Sequence, residues 1–438
     1  MSLHELTIER LALGGNGVGR IDGGKVCFVP FSAPGDRLKV RVTREHRSYC
    51  EAELVDLLEA SPQRVEPRCP AFGQCGGCDW QHLSYQAQSD AKQQILIQTL
   101  QRVAHFEAPV VAKTAVSELN YGYRARAQFK LHATADGLAV GFFRRGSHVV
   151  IDLPQGCPVC TSSINTAMLE LRQVIQLLPD FDRVSQISLE DGLTGVVAIV
   201  QYLGTDQQRL KQLFLQHQDQ LGLSGLFLQI GKKEALQPVF GSDRLTYQVP
   251  CCSESAGMME LGYEIGGFSQ VNRLQNQQMV KLVCGYAQTA ANQRLLDLYC
   301  GNGNLSLPLS GAVQELLGIE GFAPSIASAV DNARQLRVNN STFRCNDASK
   351  ELRQLINKGT RFDLVILDPP RAGAADVARE LGQLGAERIV YVSCDPGTLA
   401  RDLRQLCGTG AYRLVEATPL DMFPQTGHLE TVALLTRT

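Results

Sequence analysis

The pattern of hydrophobic and polar residues divides the chain into three regions. Residues 1–60 contain short stretches of alternating polarity separated by turn sequences, which predict a small β-barrel. Residues 61–266 mix helical and strand patterns, and they predict an α+β domain. Over residues 267–438, apolar strands alternate with helical stretches, as in an open, mostly parallel sheet. We therefore predict an α/β protein of three domains.

The first region has the pattern of a five-stranded, OB-like barrel. Alternation predicts strands over Leu6–Leu11, Lys25–Pro30, Arg37–Arg44 and Glu51–Leu58. The glycine-rich segment 14–20 predicts a flexible turn. Basic residues cluster beside Tyr49: Arg37, Lys39, Arg41, Arg44 and Arg47. OB-like barrels often bind oligonucleotides, but nearby acids almost balance these bases, so a solvated strand face is an equally good interpretation.

In two stretches of the second region, apolar residues repeat at a spacing that predicts a regular secondary structure. Ser84–Ala104 carries an apolar stripe at helical spacing and predicts an amphipathic helix, whereas Asn120–Leu131 alternates as a strand. Basic and aromatic side chains lie on this strand and in the segment after it: Tyr121, Tyr123, Arg124, Arg126, Lys130, Phe142, Phe143, Arg144 and Arg145. Such a mixture suits single-stranded RNA, although a half-exposed strand explains the alternation nearly as well.

The amino-acid composition and the first residues indicate where the protein is found in the cell and what it can bind. Hydrophobic residues make up 44% of the 438 positions but form no run long enough for a membrane span, so we expect none. The first residues lack a basic region followed by an apolar stretch, and we expect no signal peptide and a cytoplasmic location. Fourteen cysteines in such a chain favour metal ligation or catalysis over a disulfide framework. With a net charge of −2, any nucleic-acid surface has to be a local patch. We also expect a monomer.

A group of cysteines in the second region has metal-ligand spacing. The pattern C-x5-C-x2-C is formed by Cys69, Cys75 and Cys78. Two cysteines separated by two residues can converge on one centre, and a fourth thiolate could come from Cys157 or Cys160. Zinc and a [4Fe–4S] cluster both accept four thiolates. Proline follows the first cysteine of the pattern and also Cys157, which is common around iron–sulfur ligands.

Acidic residues follow four successive strands that are predicted in the third region. They are Asp297, Glu320, Asp347 and Asp368. The first opens a glycine-rich turn, 297–304, of the kind that lets a backbone approach a nucleotide. Ligands of parallel sheets bind at the carboxyl ends of the strands, and the acid after the second strand lies where a ribose-binding carboxylate belongs. This placement fits a class I (Rossmann-like) methyltransferase domain, whose acids hold S-adenosylmethionine.

One cysteine stands at the carboxyl end of a further apolar strand, Arg388–Val392. Cys394 follows that strand, and Pro396 prevents the strand from continuing. A lone cysteine is more often a small core residue. At this edge of a parallel sheet, however, a thiol can meet a bound substrate. Cofactor binding by NAD would leave this thiol and the Asp368-Pro369-Pro370 sequence without a role.

Four motifs together resemble the RNA uracil-C5 methyltransferase family. They are Asp297-Leu298-Tyr299-Cys300-Gly301-Asn302-Gly303-Asn304, Asp368-Pro369-Pro370-Arg371, Ser393-Cys394-Asp395-Pro396 and Gly427-His428-Leu429-Glu430. The first region resembles a TRAM domain, an RNA-binding module, so the resemblance covers nearly the whole chain. It implies an OB-like TRAM barrel, a central α+β domain with an iron–sulfur cluster, and a class I methyltransferase domain. A helix over about 83–112 is expected to pack on the last of these.

The resemblance also implies roles for individual residues. The [4Fe–4S] ligands would be Cys69, Cys75, Cys78 and Cys157, with Cys160 as a competing thiol. Contacts to S-adenosylmethionine would come from Gln270, Tyr299, Asn304, Glu320, Asp347 and Asp368. Cys394 would be the nucleophile and Glu430 the base.

The expected reaction is methyl transfer to C5 of a specific uridine in 23S ribosomal RNA through a covalent cysteine–C6 adduct. The same chemistry on transfer RNA, an RNA cytosine-C5 methyltransferase, and an RNA-binding or assembly protein without turnover are the alternatives. The intact nucleophile, base and cofactor acids argue against the last of these.

Overall fold

The N-terminal strands form a closed barrel, as the sequence predicts. The computed structural model describes residues 2–135, 137–231, 236–252 and 257–438. The barrel strands are β1 (Leu3–Leu11), β2 (Gly17–Arg20), β3 (Val26–Val29), β4 (Arg37–Glu45) and β5 (Tyr49–Glu59). They pair in the order β1-β2-β3-β5-β4 around a core that includes Ile8, Val29 and Leu38. The OB-like barrel is therefore confirmed.

The second barrel strand lies where the sequence predicts a flexible turn. Gly17 and Gly19 are part of β2, which pairs with both β1 and β3. A Cβ atom at Gly17 would lie 2.0 Å from Ser32 Oγ, and one at Gly19 would lie 2.5 Å from the Thr7 carbonyl oxygen. These glycines thus permit close packing within a strand, and the prediction of a turn was wrong for residues 17–20.

A helix and a seven-stranded sheet follow the barrel. The helix α1 (Tyr85–Thr99) continues as a π-helical turn over Leu100–Ala104, which confirms the predicted helix. The strands of the sheet are β6 (Arg126–Thr134), β7 (Gly137–Phe143), β8 (Val150–Asp152), β9 (Val184–Gly192), β10 (Gly195–Tyr202), β11 (Gly225–Ile230) and β12 (Gln237–Gly241). Its helices are α2 (Ser162–Ile175), α3 (Gln207–Gln216) and α4 (Gln218–Leu221), with a 3₁₀ turn at Phe181–Arg183. The strand order is β12-β11-β10-β9-β6-β7-β8.

The strand predicted from Asn120 begins only at Arg126. Gly122 has a φ of +65°, which interrupts an extended chain. The N–H groups of Gly122 and Arg124 donate to the carbonyl oxygens of Pro158 and Val159, at 2.9 and 2.8 Å. The residues before β6 therefore pair with a loop that contains two cysteines.

The C-terminal region forms a second seven-stranded sheet, preceded by a two-stranded sheet of β13 (Arg244–Pro250) and β14 (Met258–Glu264). Its strands are β15 (Arg294–Leu298), β16 (Glu315–Glu320), β17 (Ser341–Cys345), β18 (Leu364–Leu367), β19 (Arg388–Ser393), β20 (Tyr412–Leu420) and β21 (Glu430–Arg437). The helices are α5 (Arg273–Ala287), α6 (Ala323–Gln335), α7 (Ala348–Asn357), α8 (Ala375–Leu381) and α9 (Pro396–Gly408), with a 3₁₀ segment at Leu307–Ala312.

The order of this sheet is that of a nucleotide-binding α/β domain. It runs β17-β16-β15-β18-β19-β21-β20, and the first five of these strands are parallel. Strand β21 lies antiparallel between β19 and β20. Chain order reverses at β15, and such a switch point leaves a crevice for a ligand outside the carboxyl ends of the strands. The predicted Rossmann-like domain is confirmed.

The described residues fall into two compact units. One contains the chain up to Gln88, Leu119–Leu245 and Pro424–Gly427, and the other contains Ser89–Glu118, Thr246–Phe423 and His428–Thr438. Domain boundaries after residues 60 and 266 stay a prediction. Among the described residues, a disulfide bond joins Cys252 to Cys284 on α5, a pairing that the sequence did not predict. No helix in these residues is long and apolar enough to cross a membrane.

Candidate functional site

The carboxyl edge of the C-terminal sheet opens into a cavity of about 600 Å³. Every residue that the family motifs suggest for cofactor binding or catalysis lines this cavity: Gln270, Tyr299, Asn304, Glu320, Asp347, Asp368, Cys394 and Glu430. The grouping follows from the parallel strands, because their carboxyl ends meet at one edge. The individual roles stay predictions.

The glycine-rich turn after β15 brings the chain back along the cavity wall. Tyr299 adopts a φ of +66°, which is rare for a residue other than glycine. Its N–H and that of Cys300 both donate to the Ile319 carbonyl oxygen, at 2.8 and 3.0 Å. Gly303 has a φ of +86°, and a Cβ there would lie 2.6 Å from Leu307 Cδ1. The turn therefore depends on glycine and directs Tyr299 toward the cavity.

Two acids at the floor of the cavity are held in a poorly solvated setting. Asp297 is 1% exposed, and neither of its carboxylate oxygens accepts a hydrogen bond of ordinary geometry in the described part of the chain, although the nearby Ser306 hydroxyl acts to lower the pKa. Burial, together with the charges of Asp368 and Glu320, raises the pKa of Asp297 to about 8. Burial and the charge of Glu320 raise the pKa of Asp368 to about 7. A cation in this cavity would relieve the repulsion between these carboxylates.

The other two acids at the strand ends, Glu320 and Asp347, each accept hydrogen bonds from the protein through one carboxylate oxygen. Glu320 Oε1 accepts the Phe322 N–H at 2.8 Å. Asp347 caps α7, because its Oδ1 accepts the Lys350 N–H at 3.0 Å and the Ser349 hydroxyl at 2.6 Å. Hydrogen bonds from Ser349 and the Lys350 backbone lower the pKa of Asp347. Both side chains are thus fixed in place while a second oxygen stays available to a ligand.

An amide pair fixes Asn304 at the entrance to the cavity. Asn304 Nδ2 donates to Asn276 Oδ1, and Asn276 Nδ2 donates to Asn304 Oδ1, both at 2.9 Å. This pair joins the glycine-rich turn to α5. Gln270 precedes the same helix and lines the cavity from that side.

The thiol and the carboxyl group proposed for catalysis are brought together by the antiparallel strand β21. Ser393 lies opposite Thr431, so Cys394 follows the end of β19 where Glu430 begins β21. Burial, with the charges of Glu430 and Asp368, raises the pKa of the half-buried Cys394 thiol to about 11. Burial also raises the pKa of Glu430, which is 3% exposed, well above its usual range. The positive charge of Arg371 opposes both shifts.

Several further residues line this cavity although the resemblance gave them no individual role: Tyr247, Phe268, Asp297, Phe322, Arg371, Phe423 and His428. Asp297 and Arg371 stand inside two of the family motifs, so the motifs already contained a signal for them. Phe423 and the aromatic ring of His428 meet edge to face with centroids 5.8 Å apart. No pattern in the sequence marks Phe423, because its position depends on packing between distant segments.

The predicted metal ligands surround a second cavity, in the other compact unit. Its volume is about 560 Å³, and its lining includes Cys69, Cys75, Cys78 and Cys157 but not Cys160. In the described residues, no three His, Cys, Asp or Glu side chains are grouped closely enough to hold a single metal ion. The four predicted ligands share one cavity, but a metal site is not shown.

The basic residues predicted to face RNA differ in their partners. Arg37 pairs with Glu5 and Glu59, and Arg41 pairs with Glu53, so part of the barrel cluster is neutralised. On the central sheet, Arg126 pairs with the buried Glu190, and Tyr123 is buried. The exposed side chain of Arg144 forms no salt bridge within the described chain segments and lines the thiol cavity. Arg68, for which no role was predicted, is likewise exposed and precedes Cys69, which lines the same cavity.

Comparison with known proteins agrees with this architecture. The model of the family tRNA (Uracil-5-)-methyltransferase matches residues 84–438, and that of the TRAM domain matches residues 3–55. An uncharacterised RNA methyltransferase of Thermosynechococcus vestitus is 35% identical, covering 99% of this chain and 97% of that protein. The 23S rRNA (uracil(1939)-C(5))-methyltransferase RlmD of Xanthomonas axonopodis pv. citri is 34% identical, with the same coverage of 99% and 97%.

A solved structure has the same fold over nearly the whole chain. Pyrococcus abyssi tRNA (uracil-54, C5)-methyltransferase in complex with S-adenosyl-L-homocysteine superimposes with a TM-score of 0.73 at 24% identity. The match covers 98% of this chain and 100% of that chain. The chain therefore belongs to the tRNA (uracil-5-)-methyltransferase family, as an S-adenosylmethionine-dependent RNA methyltransferase with an N-terminal TRAM domain.

Proposed function

We propose that the protein methylates C5 of a specific uridine in 23S ribosomal RNA through a covalent bond between Cys394 and C6. The observation that carries this proposal is the common cavity of Cys394, Glu430 and the strand-end acids. The RNA target is inferred from relatives named RlmD, such as the one that is 34% identical over 99% of this chain. A ribosomal RNA substrate would place the activity in the cytoplasm.

The cavity suits S-adenosylmethionine, which supplies an electrophilic methyl group on a sulfonium cation. The carboxylate oxygens of Asp297, which accept no hydrogen bond of ordinary geometry from the described residues, and the raised pKa values of Asp297 and Asp368, indicate a site that favours positive charge. Glu320 ends the second strand of the sheet, where a carboxylate binds ribose hydroxyls in this type of domain. Gln270, Tyr299, Asn304 and Asp347 would complete the contacts.

The chemistry requires one nucleophile and one base. Uracil C5 is a poor nucleophile, and addition of the Cys394 thiolate to C6 pushes electrons through the ring so that C5 can accept a methyl group. Glu430 then removes the C5 proton, the C5–C6 double bond reforms, and the thiolate leaves. Because the pKa of Cys394 is about 11 in the free protein, the thiol has to lose a proton first. Arg371 is the nearby cation that favours this ionisation.

The target base has to leave its stack to reach Cys394. Exposed arginines without salt bridges in the described residues, Arg68 and Arg144, are suited to contact phosphates of the RNA. The rings of Tyr121 and Phe143 lie close by, and Arg68 stands 4.5 Å over the Tyr121 ring. This surface therefore combines charge with stacking platforms, as single-stranded RNA sites do.

We further propose that the thiol cavity holds a [4Fe–4S] cluster with Cys69, Cys75, Cys78 and Cys157 as ligands. In such a cluster each thiolate binds a different iron, so the four sulfur atoms surround a core and do not meet at one point. The four cysteines line one cavity of about 560 Å³, which supports this set of ligands. Cys157 lines the cavity and Cys160 does not, which favours Cys157 as the fourth ligand. The cluster would hold the loops of this unit together.

Two alternatives share parts of this chemistry. Transfer RNA is the substrate named for the structural relative, whose 24% identity supports the fold alone. A cytosine-C5 methyltransferase also attacks C6 with a cysteine, but Glu430 as base favours uracil. Methylation assays with 23S ribosomal RNA and transfer RNA transcripts, followed by mass mapping of the product, distinguish these substrates.

Trapping the intermediate tests the proposed mechanism. Glu430→Gln keeps the shape of the side chain but cannot accept the C5 proton. It should accumulate RNA that is both methylated and covalently attached, seen as a slow band on a denaturing gel that carries label from methyl-labelled cofactor. Cys394→Ala should form no adduct and transfer no methyl group.

Two results would contradict this scheme. Normal turnover by Glu430→Gln would assign the base to another group. An adduct in the double variant Cys394→Ala, Glu430→Gln would assign the nucleophile to another residue.

A further inference from the structure

A fully buried ion pair lies behind the wall of the catalytic cavity. Lys92 on α1 pairs with Asp421, and neither side chain is exposed to solvent. Lys92 Nζ also donates to the carbonyl oxygen of Phe423 at 3.2 Å. One lysine thus contacts two positions of the segment that leaves β20, although it lies 329 residues away from Asp421 in the chain.

The segment around this lysine completes the edge of the catalytic sheet. The Ala112 and Ala115 N–H groups donate to the carbonyl oxygens of Ala417 and Pro419, at 3.0 and 2.8 Å. The Asp421 N–H donates back to the Ala115 carbonyl oxygen at 3.0 Å. Residues 110–115 therefore follow β20 through two isolated parallel bridges, Val111 to Ala417 and Ala115 to Leu420, and Lys92 contacts the chain just beyond the end of β20.

The same segment contacts the start of α5, on the cofactor side of the cavity. Asn272 Nδ2 donates to Ser117 Oγ at 2.9 Å, and Gln275 Nε2 donates to the Ala115 carbonyl oxygen at 2.6 Å. Gln270, which lines the cavity, stands two residues before Asn272. Ser89–Glu118 is thus anchored to catalytic elements at two places.

Leu420, the residue before Asp421, pairs with the proposed base Glu430 in the ladder between β20 and β21. Phe423, His428 and Glu430 all line the cavity, and the rings of Phe423 and His428 are in edge-to-face contact. A buried ion pair contributes little net stability compared with apolar side chains of similar size, but it allows only one geometry. A pair at this position therefore fixes where the chain enters the cavity wall.

We infer that Lys92 is a positioning residue for proton removal: its pairing with Asp421 and Phe423 sets the approach of Glu430 to the methylated intermediate. The inference rests on the proposed function. Loss of the pair should affect the step that uses Glu430 more than cofactor binding, because the strand-end acids lie on other strands of the sheet. Misplacement by about 1 Å can slow a reaction roughly a hundredfold.

The test removes both charges together, since removing one would leave the other buried without a partner. Lys92→Met, Asp421→Asn removes both charges and keeps the volume of each buried side chain close to that of the original. The matched control is Lys113→Met, the same substitution at an exposed lysine of the same segment. Each variant is assayed for melting temperature, affinity for S-adenosylmethionine, kcat and the fraction of RNA in the methylated covalent adduct.

We expect the double variant to lose roughly 10- to 100-fold in kcat. It should accumulate the methylated adduct, bind S-adenosylmethionine as the unmodified protein does, and unfold cooperatively. Lys92→Arg keeps the charge on a longer side chain, so it tests position alone and should give a smaller accumulation of the same adduct. Lys113→Met should behave as the unmodified protein.

Three outcomes would overturn the inference. They are an unchanged kcat in the double variant, a loss of kcat without methylated adduct, and a loss of cofactor affinity that accounts for the slower rate. If the double variant fails to fold, Lys92→Arg takes its place. Normal turnover by Lys92→Arg, with no methylated adduct, would then overturn the inference. An unmodified protein that methylates no RNA would instead refute the proposed function itself.

Discussion

Two cavities of similar size carry opposite chemistry in this protein. The thiol cavity, about 560 Å³, is lined by four cysteines, apolar rings and arginines, and no Asp or Glu contributes to it among the described residues. The catalytic cavity, about 600 Å³, is lined by five acids together with Arg371, Cys300 and Cys394. Cysteine is present in both, so the surroundings decide what a thiol can do.

The two cavities also differ in how they are built. Loops form most of the thiol cavity, and one of them is held by the end of a strand, where the Gly76 N–H donates to the carbonyl oxygen of Phe143 in β7 at 2.9 Å. Strand ends of one parallel sheet form the catalytic cavity, and the ladder of that sheet positions them before any ligand binds. We therefore expect the thiol cavity to depend on its metal for order, and the catalytic cavity to keep its shape without the cofactor.

The largest expected effect is on the iron content of the protein, and it should differ between cysteines of the two cavities. Cys157→Ala should remove the iron and the brown colour of anaerobically purified protein, because a cluster loses one of four ligands. Cys160→Ala should keep most of the iron, since Cys160 does not line the cavity. Cys394→Ala should keep all of it while losing methyl transfer. Iron and sulfide analysis with visible absorption measures this, and zinc in place of iron, or greater loss in Cys160→Ala, would reassign the site.

The next effect concerns the acids of the catalytic cavity. Glu320→Ala should weaken S-adenosylmethionine binding by about 1.5–3 kcal/mol, the range for hydrogen bonds to a charged group. Glu315→Ala is the matched control, because Glu315 begins the same strand at the opposite edge and pairs with Arg294. Calorimetric titration measures both affinities. Equal affinities in the two variants would show that Glu320 contributes no contact to the cofactor.

Proton linkage gives a smaller effect in the same cavity. A cationic cofactor prefers ionised carboxylates, and the pKa of Asp368 is about 7 in the free protein while that of Asp297 is about 8. Protonated acids must therefore release protons on binding, so affinity should rise with pH. A single such group predicts roughly a tenfold increase between pH 6 and pH 8, with a plateau above the free pKa values. Titrations in buffers of different ionisation enthalpy count the protons, and an affinity independent of pH would contradict the linkage.

The smallest effect lies on the surface beside the thiol cavity. Arg68→Gln and Arg144→Gln should each weaken RNA binding a few-fold and reduce the slope of log affinity against log salt by about 0.7 per lost contact to single-stranded RNA. Arg37→Gln and Arg41→Gln make the same charge change at arginines that are already paired with glutamates, so they should change the slope less. A larger loss of RNA affinity in Arg37→Gln and Arg41→Gln would show that the RNA binds to the barrel instead.

The sequence by itself located the acids and the thiol of the catalytic cavity. Asp297, Glu320, Asp368 and Cys394 each lie at or just after the carboxyl end of an apolar strand, and strands of one parallel sheet bring these ends together. The barrel was also readable, because alternation marks half-buried strands. Only β2 was missed, since Gly17 and Gly19 indicate a turn unless the neighbouring strands that crowd them are known.

Tertiary structure alone decided which distant groups meet. Glu430 lies beside Cys394 because β21 inserts antiparallel between β19 and β20, and an antiparallel strand brings its beginning to the edge where parallel strands end. The ionic partners of Arg37 and Arg41, and the pairing of Lys92 with Asp421, depend on contacts that no local pattern encodes. Local sequence sets periodicity and strand ends, whereas contacts across hundreds of residues arise only when the whole chain is packed.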